Sequence, residues 1–149
     1  MSEQICTRRI AADPDSVWTV LADFGGISAW APNVDHSCLL TEQASGIGAV
    51  RRIQSGRTTV LERVTHWEPG VSLAYSIEGL PPVVRAVSNR WSIAPDGAGS
   101  QVSLATLIEP GPRPPHKLIT RVVARRLAQV SDEMLAGLGR VLEQETQAT

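Results

Sequence analysis

Only two cysteines, Cys6 and Cys38, occur in 149 residues, too few to staple a domain of this size. They read as small buried hydrophobes, which makes a cytoplasmic protein the default expectation. An excess of either charge is also missing. Fourteen basic residues stand against 15 acidic ones, for a net charge of −1 and a pI near 6.3. That balance gives no support to nucleic acid or an anionic membrane surface as a partner. The apolar runs are too short to span a bilayer, and Met1-Ser2-Glu3-Gln4 lacks the basic-then-apolar order of a signal peptide. His36, His66 and His116 lie in separate segments, so a solvated or structural imidazole is the expectation for each, and no His/Cys/Asp cluster has metal-ligand spacing. Gly-x-Ser-x-Gly, Gly-x-Gly-x-x-Gly and phosphate-loop patterns do not occur. The expectation is therefore no metal, no cofactor and no catalytic triad. The length suits one domain, residues 1–149.

The strongest positive signal is the stretch from Pro114 to Glu145. Pro114-Pro115 suits a helix start, where the missing N–H is no loss. Ile119, Val123, Leu127, Val130, Met134, Leu138 and Val141 then recur every three or four residues, one apolar stripe on a helix of roughly 45 Å. Arg121, Arg125, Gln129, Asp132 and Arg140 fall off the stripe. Such a helix must bury its stripe, and the remaining chain offers mostly strands to bury it against.

Those strands follow in order. Gln4–Ile10 alternates, and Asp13-Pro14 opens a helix running to about Asp23 with Pro14, Val17, Trp18 and Leu21 on one face. Phe24-Gly25-Gly26 breaks it, leaving room for a short turn from Ile27 to Ala31. From Val34 the period becomes two, with Val34, His36, Cys38 and Leu40 on one face. Gly46-Ile47-Gly48 turns the chain. Ala49–Ser55 and Thr58–Trp67 flank Gly56-Arg57, a pair suited to a type II′ hairpin. That loop sets Ser55 opposite Thr58, Ile53 opposite Val60 and Arg51 opposite Glu62, each pair on one face with Cβ atoms about 5 Å apart. Val71–Glu78 places Leu73, Tyr75 and Ile77 together. Val83–Ile93 does the same for Val83, Arg85, Val87, Asn89, Trp91 and Ile93. After a loose Pro95–Gly99 hairpin, Gln101–Ile108 offers Val102, Leu104, Thr106 and Ile108.

Val17-Trp18-x-x-Leu21-x-Asp23-Phe24, Trp30-x-Pro32, Gly48-x-Val50-Arg51-Arg52 and Glu62-Arg63-Val64 occur in that order. Together they resemble the polyketide cyclase/dehydrase group of the START-like (SRPBCC, Bet v 1-like) superfamily, and a bacterial source is the expectation that goes with it. The resemblance covers essentially the whole chain. It implies an α+β helix-grip fold: a seven-stranded antiparallel sheet wrapped around the long C-terminal helix, with two short helices after the first strand. It also implies a cavity between sheet and helix that takes apolar small molecules such as lipids or polyketides. Fold alone does not decide function.

On the Ala49–Trp67 hairpin, Val60 and Val64 on one face compete with Leu61 and Trp67 on the other. The resemblance selects Arg51, Ile53, Val60, Glu62 and Val64 as the inward set. With Tyr75, Val87, Asn89, Trp91 and Leu104 from the sheet, and Val123, Leu127, Val130 and Met134 from the helix, they make a mostly apolar ligand site with few polar groups. Arg51 and Glu62 form either a buried pair able to orient a ligand or an exposed cross-strand ion pair of little energetic weight. Tyr75 either donates to a ligand oxygen or is a core aromatic with its hydroxyl bonded to backbone. Asn89 needs partners from ligand, water or Arg85. Trp18 and Trp30 read as packing residues. Gly79-Leu80-Pro81-Pro82 reads as a rigid connection, with a place at the cavity mouth as the alternative.

Three functions fit these readings. The first is binding of a hydrophobic small molecule. The second is a cyclase/dehydratase-type enzyme in which Glu62 or Tyr75 moves a proton. The third is a protein-interaction module whose cavity is filled. Neither the ligand nor the choice between monomer and homodimer is legible in these residues.

Overall fold

A computed structural model describes residues 2–80, 84–110 and 116–148 of the chain. In order, the elements are β1 (Ser2–Ile10), α1 (Pro14–Ala22), a 3-10 helix (Phe24–Ala29), β2 (His36–Leu39), β3 (Val50–Ser55), β4 (Thr58–Glu68), β5 (Ser72–Glu78), β6 (Val84–Asp96), β7 (Gly99–Pro110) and α2 (His116–Ala148). The seven strands form one antiparallel sheet ordered β1-β7-β6-β5-β4-β3-β2. The two short helices join its opposite edges, and α2 packs on the inner face, chiefly against β1 and β7. This is the helix-grip arrangement with the expected element order.

The β3–β4 hairpin has the expected register: Ser55 pairs with Thr58, Ile53 with Val60 and Arg51 with Glu62. Gly56 at its tip has φ +59° while no non-glycine residue described has positive φ, as a type II′ turn requires. In β4 a bulge between Val64 and His66 inserts an extra residue, after which Trp67 pairs with Leu73. Val64 and Trp67 therefore both reach the inner core. A strict alternation puts them on opposite faces, which is why the two faces of this hairpin look equally apolar in the sequence.

Several expectations need correction. Cys38 is exposed and Cys6 only half-buried, its Sγ 3.9 Å from the Ala128 carbonyl. On β2 the outward residues are His36 and Cys38, with Leu40 beyond them 52% exposed, while Ser37 and Leu39 turn in. A serine is tolerated there because its hydroxyl donates to the Gly25 carbonyl and accepts the Ser28 N–H, tying the edge strand to the 3-10 helix. Arg85 does not share the face of Val87. The bulge between Val84 and Ala86 turns it outward, where it approaches Glu109 at 3.7 Å. The Pro95–Gly99 hairpin is tight rather than loose, since β6 continues to Asp96 and Asp96 pairs directly with Gly99. Pro114-Pro115 and Pro81-Pro82 lie outside the described residues.

α2 divides into two halves. Its second half drives Met134, Leu135, Leu138 and Leu142 into a packed core with Ile10, Val17, Phe24, Tyr75 and Trp91. Each such side chain contributes about 1.5–3 kcal/mol by burial. Leu135 and Leu142 widen the buried stripe beyond the expected one. Trp18 meets Trp67 edge-on at 5.1 Å and Trp30 meets Trp91 at 5.8 Å, so both tryptophans pack as expected. Asp13 precedes α1 without capping it through its side chain.

Gly137, inside α2, is where the helix closes on the chain after the 3-10 helix. A Cβ there would run into the Trp30 carbonyl oxygen and the Pro32 ring. Ordinarily, glycine to alanine inside a helix gains about 1 kcal/mol. Here Gly137→Ala is expected to lose about 1–3 kcal/mol through overpacking against fixed backbone. Chemical denaturation measures this, and a gain in stability would mean that the contact is easily relaxed.

Candidate functional site

In the first half of α2, Ala124 and Leu127 pack against Val87 and Ile108 of the sheet, but the contact with the sheet is incomplete. Between helix and sheet lies a cavity of about 260 Å³, a little below the range of about 300–1,000 Å³ usual for drug-sized ligands. Its sheet wall carries Ile53, Val60, Glu62, Ile77, Asn89 and Thr106, and its helix wall Leu127, Val130, Ser131 and Met134. The 3-10 helix and the loop after it add Ile27, Asn33 and Val34. Ser55 and Thr58 come from the hairpin tip, Leu80 from the loop after β5, and Arg126 from α2.

Glu62 carries most of the site's chemistry. Adjacent strands and a two-residue turn place it directly opposite Arg51, and both are buried, at 6% and 3% exposure. Arg51 Nε donates to Glu62 Oε1 at 2.8 Å, and Nη2 lies 2.6 Å from the same oxygen without hydrogen-bond alignment. Nη1 donates to the Phe24 carbonyl at 2.9 Å. The guanidinium is also sandwiched between aromatic rings, 3.8 Å from the centroid of Phe24 and 4.6 Å from that of Tyr75, both within cation–π range. Among the described residues Oε2 has no hydrogen-bond partner, and Glu62 lines the cavity. Burial pushes the Glu62 carboxyl up, and the charge and N–H of Arg51 only partly oppose this.

Next to this pair runs a row of polar groups across three strands. Thr106 Oγ1 donates to Asn89 Oδ1 at 2.7 Å and lies 3.4 Å from Ser131 Oγ on α2. Asn89 Nδ2 and Trp91 Nε1 both donate to the Tyr75 hydroxyl, at 3.3 and 3.2 Å. Asn89 thus finds its partners in Tyr75 and Thr106 and not in Arg85. The Tyr75 hydroxyl is bonded by side chains and not by backbone. Tyr75 is fully buried and is not among the cavity-lining residues. Burial, and after it the negative charge of Glu62, push its hydroxyl up. Asn33 Oδ1 is a further buried acceptor without a partner, on the cavity wall.

Residues 6–143 match the family described as "Polyketide cyclase / dehydrase and lipid transport". The chain belongs to that family. Among curated proteins nothing matches it. Several solved structures share the fold. XoxI from Bacillus cereus is 18% identical, with a TM-score of 0.79 over 95% of this chain and 96% of that one. A START superfamily protein from Mycobacterium smegmatis is 14% identical, with a TM-score of 0.74 over 95% and 97%. The di-domain ARO/CYC StfQ from the steffimycin biosynthetic pathway is 14% identical, with a TM-score of 0.80. This chain covers 51% of StfQ and is itself covered to 97%. At these identities the likeness is one of fold. No helix among the described residues is long and apolar enough to cross a membrane.

Of the residues expected to form the site, the structure gathers Ile53, Val60, Glu62, Asn89, Leu127, Val130 and Met134 around the cavity. Arg51, Val64, Tyr75, Trp91 and Leu104 are buried behind or beside it, and Val87 packs with Ile108 in a separate small cluster. The side chain of Val123 lies outside the described residues. Leu80 lines the cavity, so the start of the connection after β5 reaches its wall. Ser131 and Arg126 carried no sequence signal, since both fall beside the apolar stripe, and Asn33, Ser55 and Thr58 sit where loops and a hairpin tip fold over the opening.

Two outcomes test the pair. A carboxyl whose value is raised by folding favours the folded state when protonated. That contribution is complete below the ordinary glutamate value of about 4.3 and is lost as pH rises through the folded value. Wild-type protein should therefore lose stability relative to Glu62→Gln as pH climbs from about 4 toward neutrality, read by denaturant titration across pH. Arg51→Met should cost about 3–5 kcal/mol at neutral pH by leaving a buried carboxylate uncompensated, and less in acid, where Glu62 takes up a proton. An equal cost at both pH values would mean that packing against Phe24 and Tyr75 dominates.

Proposed function

We propose that this protein binds a compact, mostly apolar small molecule between sheet and α2, with Glu62 Oε2 accepting a hydrogen bond from the ligand. One observation carries the reading: a buried carboxylate on the wall of a largely apolar cavity has one oxygen held by Arg51 and the other without a hydrogen-bond partner among the described residues. Pairing with Arg51 makes the local charge close to zero, so the partner it favours is a neutral donor such as a hydroxyl. Family membership supports the same reading, since hydrophobic ligands or polyketide cyclisation are the roles the family's description suggests. A protein-interaction module with a filled interior fits less well, given the cavity beside α2.

The enzyme reading rests on a specific observation of its own. A carboxyl raised by burial inside a ligand cavity is suited to general acid–base work. Tyr75 is a weaker candidate for that role, because its hydroxyl already accepts two N–H groups and sits behind the wall.

Native mass spectrometry of freshly purified protein, with extraction of whatever is carried along, tests the binding role. A discrete added mass is expected, and Glu62→Gln should weaken its retention about tenfold through loss of a charge-assisted hydrogen bond. Unchanged binding with lost turnover in Glu62→Gln would point to the enzyme instead. A bare protein that takes up no fatty acid, sterol or aromatic polyketide would overturn the binding role.

A further inference from the structure

Among the described residues two charged side chains line the cavity, and they differ in kind. Glu62 is buried in the sheet wall and already neutralised by Arg51. Arg126 is on α2, exposed to solvent at the edge of the cavity, and among the described residues no carboxylate pairs with it. Between them the wall is apolar, with Ile77, Leu127, Val130 and Met134. Such a site is polarised along its depth. Inside it presents an acceptor oxygen of a charge-balanced pair, which offers an anion no donor and favours a neutral donor. At the rim it presents a free guanidinium, whose planar fork of N–H groups matches a carboxylate in two places.

We infer that the ligand is amphipathic at both ends: an apolar body with a hydroxyl at its inner end and a carboxylate at its outer end, the hydroxyl meeting Glu62 and the carboxylate meeting Arg126. This rests on the binding role proposed above and adds to it the class and direction of the ligand. The direction follows from the charges. A carboxylate turned inward meets the unpartnered oxygen of Glu62, whereas one turned outward keeps its water and gains a cation. An amine at the inner end is disfavoured too, because Arg51 already supplies the positive charge that Glu62 can balance.

The probes are ω-hydroxyhexanoate, ω-hydroxyoctanoate and ω-hydroxydecanoate, each with its methyl ester and with the plain fatty acid that lacks the hydroxyl. Calorimetric titration of the full chain reads the affinities. At least one hydroxy acid should bind more tightly than its ester by about fivefold at low salt, the scale of an exposed ion pair, and the margin should shrink as salt rises. Arg126→Gln should remove that margin while leaving the ester's affinity unchanged, and Arg126→Lys should keep part of it. Glu62→Gln should instead reduce the preference for the hydroxy acid over the plain acid, and so the two ends are read separately. If acid and ester bind equally, and Arg126→Gln changes neither, the outer assignment is wrong while the binding role stands. If plain acids bind as tightly as hydroxy acids in wild type, the inner assignment is wrong. If nothing in the series binds, this ligand class is overturned, and extraction from the native protein then decides separately whether the binding role survives.

Discussion

The Arg51–Glu62 pair is the contact on which the site depends, and it is a costly one to build. Moving two charges out of water is unfavourable by several kcal/mol per ion, and their attraction repays this only with good geometry and further hydrogen bonds. Arg51 receives much of this, from one carboxylate oxygen, the Phe24 carbonyl and two aromatic faces, with only Nη2 lacking an aligned hydrogen-bond partner among the described residues. Those partners come from β4, β5 and the 3-10 helix, so one side chain holds together three parts of the chain that are distant in sequence. Glu62 is less fully satisfied. A buried carboxylate with a bare oxygen is poor design for stability alone, since each missing hydrogen bond has a desolvation cost. Its position on a cavity wall gives that oxygen a use.

Stability and opening are divided along α2. From Met134 onward the helix meets large apolar side chains and the interior is solid. Before it, Ala124 and Leu127 still touch Val87 and Ile108 of the sheet, but a cavity lined by Leu127, Val130 and Ser131 is left between helix and sheet. The polar row of Tyr75, Asn89 and Thr106 lies where the two regimes meet. On its solid side Tyr75 accepts N–H groups from Asn89 and Trp91, and on its open side Thr106 reaches Ser131 across to the helix. A row bonded within itself can border a cavity without collapsing into it, because its groups have partners whether or not a ligand is present.

Much of the fold was legible because it is written in local chemistry. The Gly56-Arg57 turn dictates register, and register alone places Arg51 against Glu62. The long apolar stripe of α2 needs only its period to be recognised. Misreadings came where a single residue breaks the alternation. Extra residues in β4 and β6 switch Trp67 inward and Arg85 outward, and no residue type marks a bulge in advance. On β2 a serine faces in because backbone groups of the 3-10 helix satisfy it, a long-range partnership that alternation cannot express. For the site, the residues on regular strands and on the stripe were readable. Asn33, Leu80 and Arg126 depend on how loops and a helix edge close over an opening, which is decided by tertiary packing and not by period.

Size then bears on the choice between holding a ligand and folding a reactive chain. A cyclase must enclose a chain long enough to bend back on itself, and 260 Å³ is modest for that purpose. It suits a compact or extended molecule whose far end stays near the rim. The polar groups argue the same way. Acid–base chemistry on a bound chain is helped by two titratable groups with values driven apart. Here the second candidate, Tyr75, is walled off behind Asn89 and raised away from neutrality. What remains facing the cavity is one carboxylate whose charge is already balanced, together with amide and hydroxyl groups. That inventory is better suited to recognising and orienting than to transforming, which is why the proposed role is binding, with Glu62 proposed as the group that selects the ligand.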